Sequence, residues 1–538
     1  RSTWPRSWVP LSAPSTDRGV GYPRRMADGP VTDGVAFPEG GDGRRSTTAT
    51  GRAVFADSAR AVDPALAARI EHTSDWRGGY LGPLRDLVRV AAMSPEAALT
   101  ISRDGLASAH RRFELVRAGE RSSLPDAMAR YTAPGLASVT VRGTAPAEAE
   151  LTLPYRGRRL FGDDLRRQVD TWVARGVAEP GVAEAIDLLM ANPDWLDLRD
   201  VDVAVLGAAA EMGPTRSLLR WGATVHAVDL ARTDVWQRLI ETTRSTAGTL
   251  RVPIRLAADG APPFVVGGTV HPDDDATVAG RAGVDLISQA PEIATWLGEI
   301  EQPFVLGTYA YADGATHVLL TVAADAVVER LRAQRDDLTL AYLATPTDVF
   351  AVPMDVVDDS RRRWQARGIS GFLQSPLRLL KQFEPNYPAT WTDDAGREFG
   401  LCDTLVSQQG PNYALAKRMQ RWRALAARAD GVPVSINLAP ATRTRSVVRN
   451  RALAAAYAGA GRFGVEVFEP GTSTALMAAL LVHDLRNPAA PANPATPLGN
   501  PMDLFTRDAT HGGLWRVAYA PRSVLGVAAL LGMFEARA

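Results

Sequence analysis

The sequence predicts an α/β protein built on a doubly wound parallel sheet. A mostly helical region precedes the sheet, and an insertion interrupts it before a long helix in the second half. Three observations predict this. From Asp200 onward, short apolar runs alternate with amphipathic segments, the pattern of a parallel sheet covered by helices on both faces. The first run ends in Gly207 and turns into a helix-like segment, and the second ends in Asp229. Before Asp200, apolar residues recur instead at three and four spacing, the period of helices.

Taken in order, residues 1–50 are rich in Gly, Pro, Ser, Thr and Arg without periodicity and read as a disordered leader; the first methionine is Met26. Residues 51–195 form the helical region, with helices at Pro83–Ala92, Pro95–Val116 and Asp163–Ala191 and a strand at Ala137–Arg142. Residues 196–352 hold the first part of the sheet. Its strands are Val201–Leu206, Thr224–Val228, Val252–Ala257, Val284–Ser288, Pro303–Thr308, His317–Val322 and Leu338–Ala344, with helices at Pro214–Trp221 and Ala324–Arg335. Residues 353–401 break the alternation with prolines, Trp364 and Trp391, as an insertion or lid. Residues 402–486 resume it: a helix from Asn412 to Ala429, a strand at Val432–Leu438, an alanine-rich helix at Arg449–Ala458 and a helix at Thr474–His483. Residues 487–538 form a proline-rich crossing and a C-terminal helix.

Composition excludes several function classes. Sixty basic and 60 acidic side chains give zero net charge with no long basic run, a poor basis for gripping nucleic acid or an anionic membrane. Only Lys381 and Lys417 are lysines. The lone Cys402 excludes a disulfide framework and multi-cysteine zinc sites. No apolar run reaches the length of a membrane span, and Arg1–Arg25 lacks the apolar centre of a secretory signal, so a soluble, cytoplasmic protein is expected. The seven histidines show no ligand spacing, the acidic clusters Asp273–Asp275 and Asp355, Asp358 and Asp359 read as solvated loops, and no metal is expected. Neither G-x-S-x-G nor a P-loop occurs.

Two segments carry chemistry. A strand ending in glycine and turning into a helix lets backbone amides face a phosphate or carboxylate, and the small residues Ala208, Ala209 and Ala210 permit close approach. Asp229, ending the next strand, stands where a carboxylate accepts hydrogen bonds from a ribose diol. The second segment is Y-A-L-A-K. Tyr413 and Lys417 are four apart and share a helical face, where an ammonium would favour the phenolate of a proton-shuttling tyrosine. With 11 tyrosines and two lysines in 538 residues, chance supplies only about 0.04 such pairs.

The second half resembles the short-chain dehydrogenase/reductase superfamily over residues 200–484. The Y-x-x-x-K helix is followed by VPVSINLAPATRTRSV, similar to the strand and proline turn that contact the nicotinamide, and then by FEPGTSTALMAALLVHD, similar to the penultimate helix. The resemblance implies a Rossmann-like fold. Tyr413 is then general acid/base, and Lys417 its pKa modulator and ribose ligand. Pro440 and Thr442 lie beside the nicotinamide. It places the turn of Gly207, Ala208, Ala209, Glu211, Met212 and Gly213 at the pyrophosphate, makes Asp229 select NAD(H) over NADP(H), and sets Asp259 at the adenine. Ala290, in Ser288-Gln289-Ala290-Pro291, occupies the place of the N-N-A-G signature, which is absent. Thr345, Thr347 or Ser407 would replace the catalytic serine, and Ala441 stands where a glycine usually follows the proline.

The expected activity is hydride transfer between a nicotinamide cofactor and a carbonyl or alcohol, on a small-molecule substrate that the aromatics Trp364, Phe372, Phe383 and Trp391 mark as large or apolar. A homo-oligomer stays open. The same first turn, GAAAEMG followed by WGATVHAVD, also resembles the first motif of S-adenosylmethionine methyltransferases. That gives a methyltransferase as one alternative and a non-catalytic nucleotide-binding protein as another.

Overall fold

Seven strands form the central sheet of the computed structural model, which describes residues 33–133, 135–256, 265–266, 269–270, 274–367 and 381–535. They are β1 (Leu136–Arg142), β2 (Asp202–Leu206), β3 (Thr224–Val228), β4 (Thr249–Arg255), β5 (Phe304–Thr308), β6 (Leu338–Ala344) and β7 (Val434–Leu438). Across the sheet the order is β7-β6-β5-β2-β3-β4-β1. All neighbours from β7 to β4 run parallel, and only β1 pairs antiparallel, with β4 at the edge. The order reverses between β2 and β5, so the connections that leave their adjacent C-terminal ends run to opposite sides.

The crossovers are helical. Helices α1 (Thr215–Arg220) and α2 (Thr233–Arg244) follow β2 and β3, α3 (Ala290–Gly298) precedes β5, α4 (Ala315–Arg332) follows it, and α5 (Gly410–Ala429) leads into β7, which α6 (Pro470–Arg486) follows. Side chains alternate across a strand, and β2 divides accordingly. Ala204 and Leu206 enter a core shared with α3, α4 and α5, while Val203 and Val205 enter one shared with α1, α2 and α6.

The N-terminal helices serve both faces. Helices Thr47–Arg60 and Pro95–Arg112 pack on α5, where a Cβ at Gly105 would lie 2.5 Å from the Trp422 ring. Gly162–Ala174 and Pro180–Ala191 belong to the other face, the latter against α6. Of the expected leader, residues 1–32 lie outside the described residues; Gly34–Ala36 is a buried strand paired with Glu114–Arg117, and Ser46 caps the helix that starts at Thr47.

Two expected strands are not strands. His317–Val322 lies inside α4, a helix with 14 of its 18 residues buried, and a helix apolar on nearly every side has no period to betray it. Val284–Ser288 is a turn in which Asp285 accepts from the Ile287 amide (2.9 Å) and Gln289 from the Asp285 amide (3.1 Å); such side-chain bonds compete with a ladder. Ala290 is therefore the buried first residue of α3, not a strand end beside the glycine turn. The insertion builds its own antiparallel sheet, with Glu398–Asp403 between Val349–Pro353 and Thr390–Thr392. Among the described residues no helix is long and apolar enough to cross a membrane.

Candidate functional site

Helix α5 starts at Gly410, whose φ of +79° lets the chain turn sharply before Pro411 fixes the first helical turn. Tyr413 and Lys417 follow one turn apart, facing the C-terminal ends of β5 and β6. The Tyr413 ring stacks on His317 of α4, centroids 5.7 Å apart, and meets Tyr311 edge-on at 6.4 Å. At the end of β6 the hydroxyls of Thr345 and Thr347 lie 2.9 Å apart, and Gln409 donates to Thr347 Oγ1 (2.6 Å). Burial pushes the Tyr413 phenol above its usual pKa, and hydrogen bonding with Thr345, Thr347 and Gln409 pulls it partly back.

Lys417 is held by its own helix and by the end of β6. Its ammonium donates to the Leu343 carbonyl (3.3 Å) and to Gln420 Oε1 (3.1 Å), and burial lowers its pKa to about 8. The pKa of His317 falls to about 3 through burial and then the Lys417 charge. His317 is 0% exposed, and neither ring nitrogen has a hydrogen-bond partner among the described residues. At neutral pH the cluster thus combines a neutral imidazole, a lysine near its titration point and a protonated phenol with two threonine hydroxyls beside it. Such a set can donate and recover a proton.

The glycine turn lies on the other side of the loop that follows β5. A Cβ at Gly207 (φ +90°) would sit 2.5 Å from Ala310 Cα, so only glycine fits, and the next residue in that loop is Tyr311. Ala208, Ala209, Glu211 and Gly213 line a cleft of about 670 Å³ that runs along α1 and α2. Met212 is half-buried and packs on the core of that face. Arg216, Arg238 and Arg445 also line the cleft. Glu211 joins three segments: its carboxylate accepts from the Arg445 amide (3.0 Å), and its carbonyl accepts from Thr474 Oγ1 (3.1 Å) at the start of α6. Pro440 and Thr442 follow β7 on the same side, with Thr442 Oγ1 within 2.7 Å of both the Pro440 carbonyl and Ser473 Oγ.

Asp229 supports the turn itself. Its two oxygens accept from the amides of Ala209 and Leu230, each at 2.8 Å, and burial raises its carboxyl above the usual range. Both sites of strongest attraction are engaged inside the protein, so the carboxylate gives no support to a choice of NAD over NADP. Asp259 lies outside the described residues, as does Phe372. Ser407 is exposed and among the described residues its hydroxyl bonds only its neighbour Gln408 (3.4 Å); of the three candidate hydroxyls, Thr345 and Thr347 are those that lower the Tyr413 pKa. The insertion aromatics pack largely on one another and on the C-terminal segment, with Trp364 and Phe383 against Tyr519 (5.6 and 5.5 Å) and Trp391 against Phe399 (6.2 Å).

Sequence reasoning missed His317, Tyr311 and Gln409. The signal for His317 was a polar side chain within an apolar run, hidden because that run read as a strand. No protein-family model, curated protein or solved structure matches the chain.

Proposed function

We propose that the protein is a nicotinamide-nucleotide-dependent oxidoreductase acting on a carbonyl or alcohol, with Tyr413 exchanging the proton. The observation that carries this reading is the meeting of Thr345 and Tyr413. The hydroxyl of Thr345, the residue after β6, is close enough to the Tyr413 phenol on the following crossover helix to lower its pKa, with Lys417 one turn along. The strand order supports it: the six parallel strands run third, second, first, fourth, fifth, sixth in chain order, that of doubly wound dinucleotide-binding sheets.

The residues around the glycine turn are compatible with such a cofactor. Small side chains at Ala208 and Ala209 leave the turn open to the cleft. Arg216 and Arg238 offer positive charge for phosphates, and the charge of Glu211 is partly compensated by Arg445 at 3.9 Å. When bound, the cofactor supplies or accepts the hydride. Thr345 and Thr347 would hold the substrate oxygen, and Tyr413 would protonate it as the hydride arrives at carbon. Lys417, one turn along the helix, would restore that proton.

The test has two arms. Calorimetric titration with NADH, NADPH and S-adenosylmethionine should give dinucleotide binding, and turnover of a carbonyl panel should then fall by about 10²–10⁴ in Tyr413→Phe, with cofactor affinity unchanged. Methyl-donor binding without dinucleotide binding overturns the assignment. Undiminished turnover in Tyr413→Phe removes the catalytic role of the phenol.

A further inference from the structure

On the α6 side of edge strand β7, three side chains of metal-ligand type converge. His483 and Asp484 are consecutive near the end of α6, and Asp508 follows the short 3-10 turn Pro501–Phe505. One ligand atom from each lies within 4.8 Å of the other two, the separation that a shared ion with bonds of about 2.0–2.4 Å allows.

Two carboxylates and a histidine at a surface would carry no inference alone. Here the histidine is 4% exposed, and among the described residues its Nδ1 has no hydrogen-bond partner although it lies 3.5 Å from Asp484 Oδ1. A cavity of about 10 Å³, lined by Asp484, Asp508 and Asn437 among apolar side chains, has room for one water-sized occupant. The supporting shell is also built. Asp484 Oδ2 accepts from Ser435 Oγ (2.6 Å) and Asn437 Nδ2 (2.8 Å), which fixes the carboxylate and leaves Oδ1 on the histidine side. Asp508 has no hydrogen bond among the described residues, and its neighbour Asp484 carries the same charge.

We propose that His483, Asp484 and Asp508 bind one divalent transition-metal ion, which clamps the C-terminal segment to α6 and, through Ser435 and Asn437, to β7. An imidazole with two carboxylates is a mixed nitrogen and oxygen set, suited to Zn²⁺ or Mn²⁺ rather than to Mg²⁺ or Ca²⁺, which prefer oxygen shells. Ligation through Nδ1 places the ring proton on Nε2, 2.8 Å from the Asn487 amide. The amide then turns its oxygen to the ring and gives up the bond that Oδ1 accepts from the Ala489 amide (3.0 Å). The ion would reach a third segment too. Asp508 Oδ1 lies 2.1 Å from where a Cβ at Gly181 would stand, so its carboxylate rests on the first turn of helix Pro180–Ala191.

The experiment uses the full chain, stripped with EDTA and dialysed, titrated calorimetrically with Zn²⁺, Mn²⁺ and Mg²⁺ and melted in parallel. One equivalent of Zn²⁺ should bind with a Kd in or below the micromolar range and raise Tm, Mn²⁺ more weakly, and Mg²⁺ not at all. Asp508→Asn removes one of two like charges, so it should keep the metal-free fold while losing tenfold or more in Zn²⁺ affinity; His483→Gln should do the same. Absence of a stoichiometric Zn²⁺ site overturns the proposal, as does Zn²⁺ affinity unchanged in Asp508→Asn, the variant that decides should His483→Gln not fold.

Discussion

Asp348 ties the segment after β6 to α5, and replacing it with asparagine should be costly. Its carboxylate is buried and accepts from Arg418 and from Arg421 Nη1 (2.9 Å), both on α5, and from the Val349 amide (2.7 Å). Arg421 has other support: the Val349 carbonyl (2.9 Å) and the rings of Phe350 and Phe505, 4.4 and 4.3 Å from its guanidinium carbon. Arg418 pairs only with Asp348 among the described residues. Asparagine keeps the shape but leaves two neighbouring guanidiniums buried without an anion, and breaking a buried pair on one side costs about 3–5 kcal/mol. At about 2 cal/mol/K per residue, a chain of this length melting in one transition carries about 1.1 kcal/mol/K of entropy, so Tm should fall by about 3–5 °C. Calorimetry reads that shift, and a cycle with Arg421→Met reads the coupling, which should exceed about 1 kcal/mol. A Tm change under about 1 °C, or additive single and double variants, would refute the reasoning.

The remaining predictions concern the turn, the lysine and a distant carboxylate. Gly207→Ala, at φ +90° and against Ala310, should cost about 2–4 kcal/mol in urea unfolding; Gly213→Ala, whose Cβ would first meet the Ala210 carbonyl at 3.2 Å, should cost less than about 1 kcal/mol. Lys417 has a folded pKa of about 8 against an ordinary 10.5, so the unfolded chain holds the proton more tightly and stability rises as pH climbs from 8 to 10.5. Lys417→Met should therefore stabilise the fold by about 1–3 kcal/mol at pH 7 and abolish that rise; destabilisation at pH 7 would count against the burial argument. Glu179 is buried, which raises its carboxyl, but the His511 N–H and the Arg516 guanidinium outweigh burial and bring it to about 2 from 4.5. A depressed carboxylate stabilises above its unfolded pKa, so this contribution, about 3 kcal/mol, is intact above pH 4.5 and lost as pH falls towards 2. Acid titration of Glu179→Gln beside the parent should show the loss in the parent alone.

The legible strands were those whose ends the sequence punctuates. β2 stops at Gly207, β3 at Asp229 and β7 at Ala439-Pro440, and each was placed within two residues of its observed bounds. Punctuation failed where burial is complete. The interior of α4 is apolar on nearly every side, and neither length nor period separates the start of such a helix from a strand until its neighbours are known. The edge strand β1 was visible, but its partner was not: Leu136 pairs with Arg255, a contact that only the assembled sheet supplies.

The candidate site was legible to the extent that it is local. Tyr413 and Lys417 belong to one helical turn, so their spacing and the scarcity of lysine exposed them. Thr345 stands 68 residues earlier, a separation that argued against partnership. The insertion removes the objection because its ends are zipped together: Val349 pairs with Asp403, and the Thr404 amide and hydroxyl both bond the Asp348 carbonyl (3.1 and 2.7 Å). The chain therefore leaves β6 and returns beside its own exit, and Gln409 reaches back to Thr347 across a loop whose length costs little once its base is paired. What the spacing could not convey was dielectric. Tyr and Lys one turn apart suggest a charged pair in water, but at this depth burial lowers the lysine and raises the phenol, and the lysine's charge falls on His317 instead. The motif located the groups, and the packing of α4 against α5 decided which of them interact.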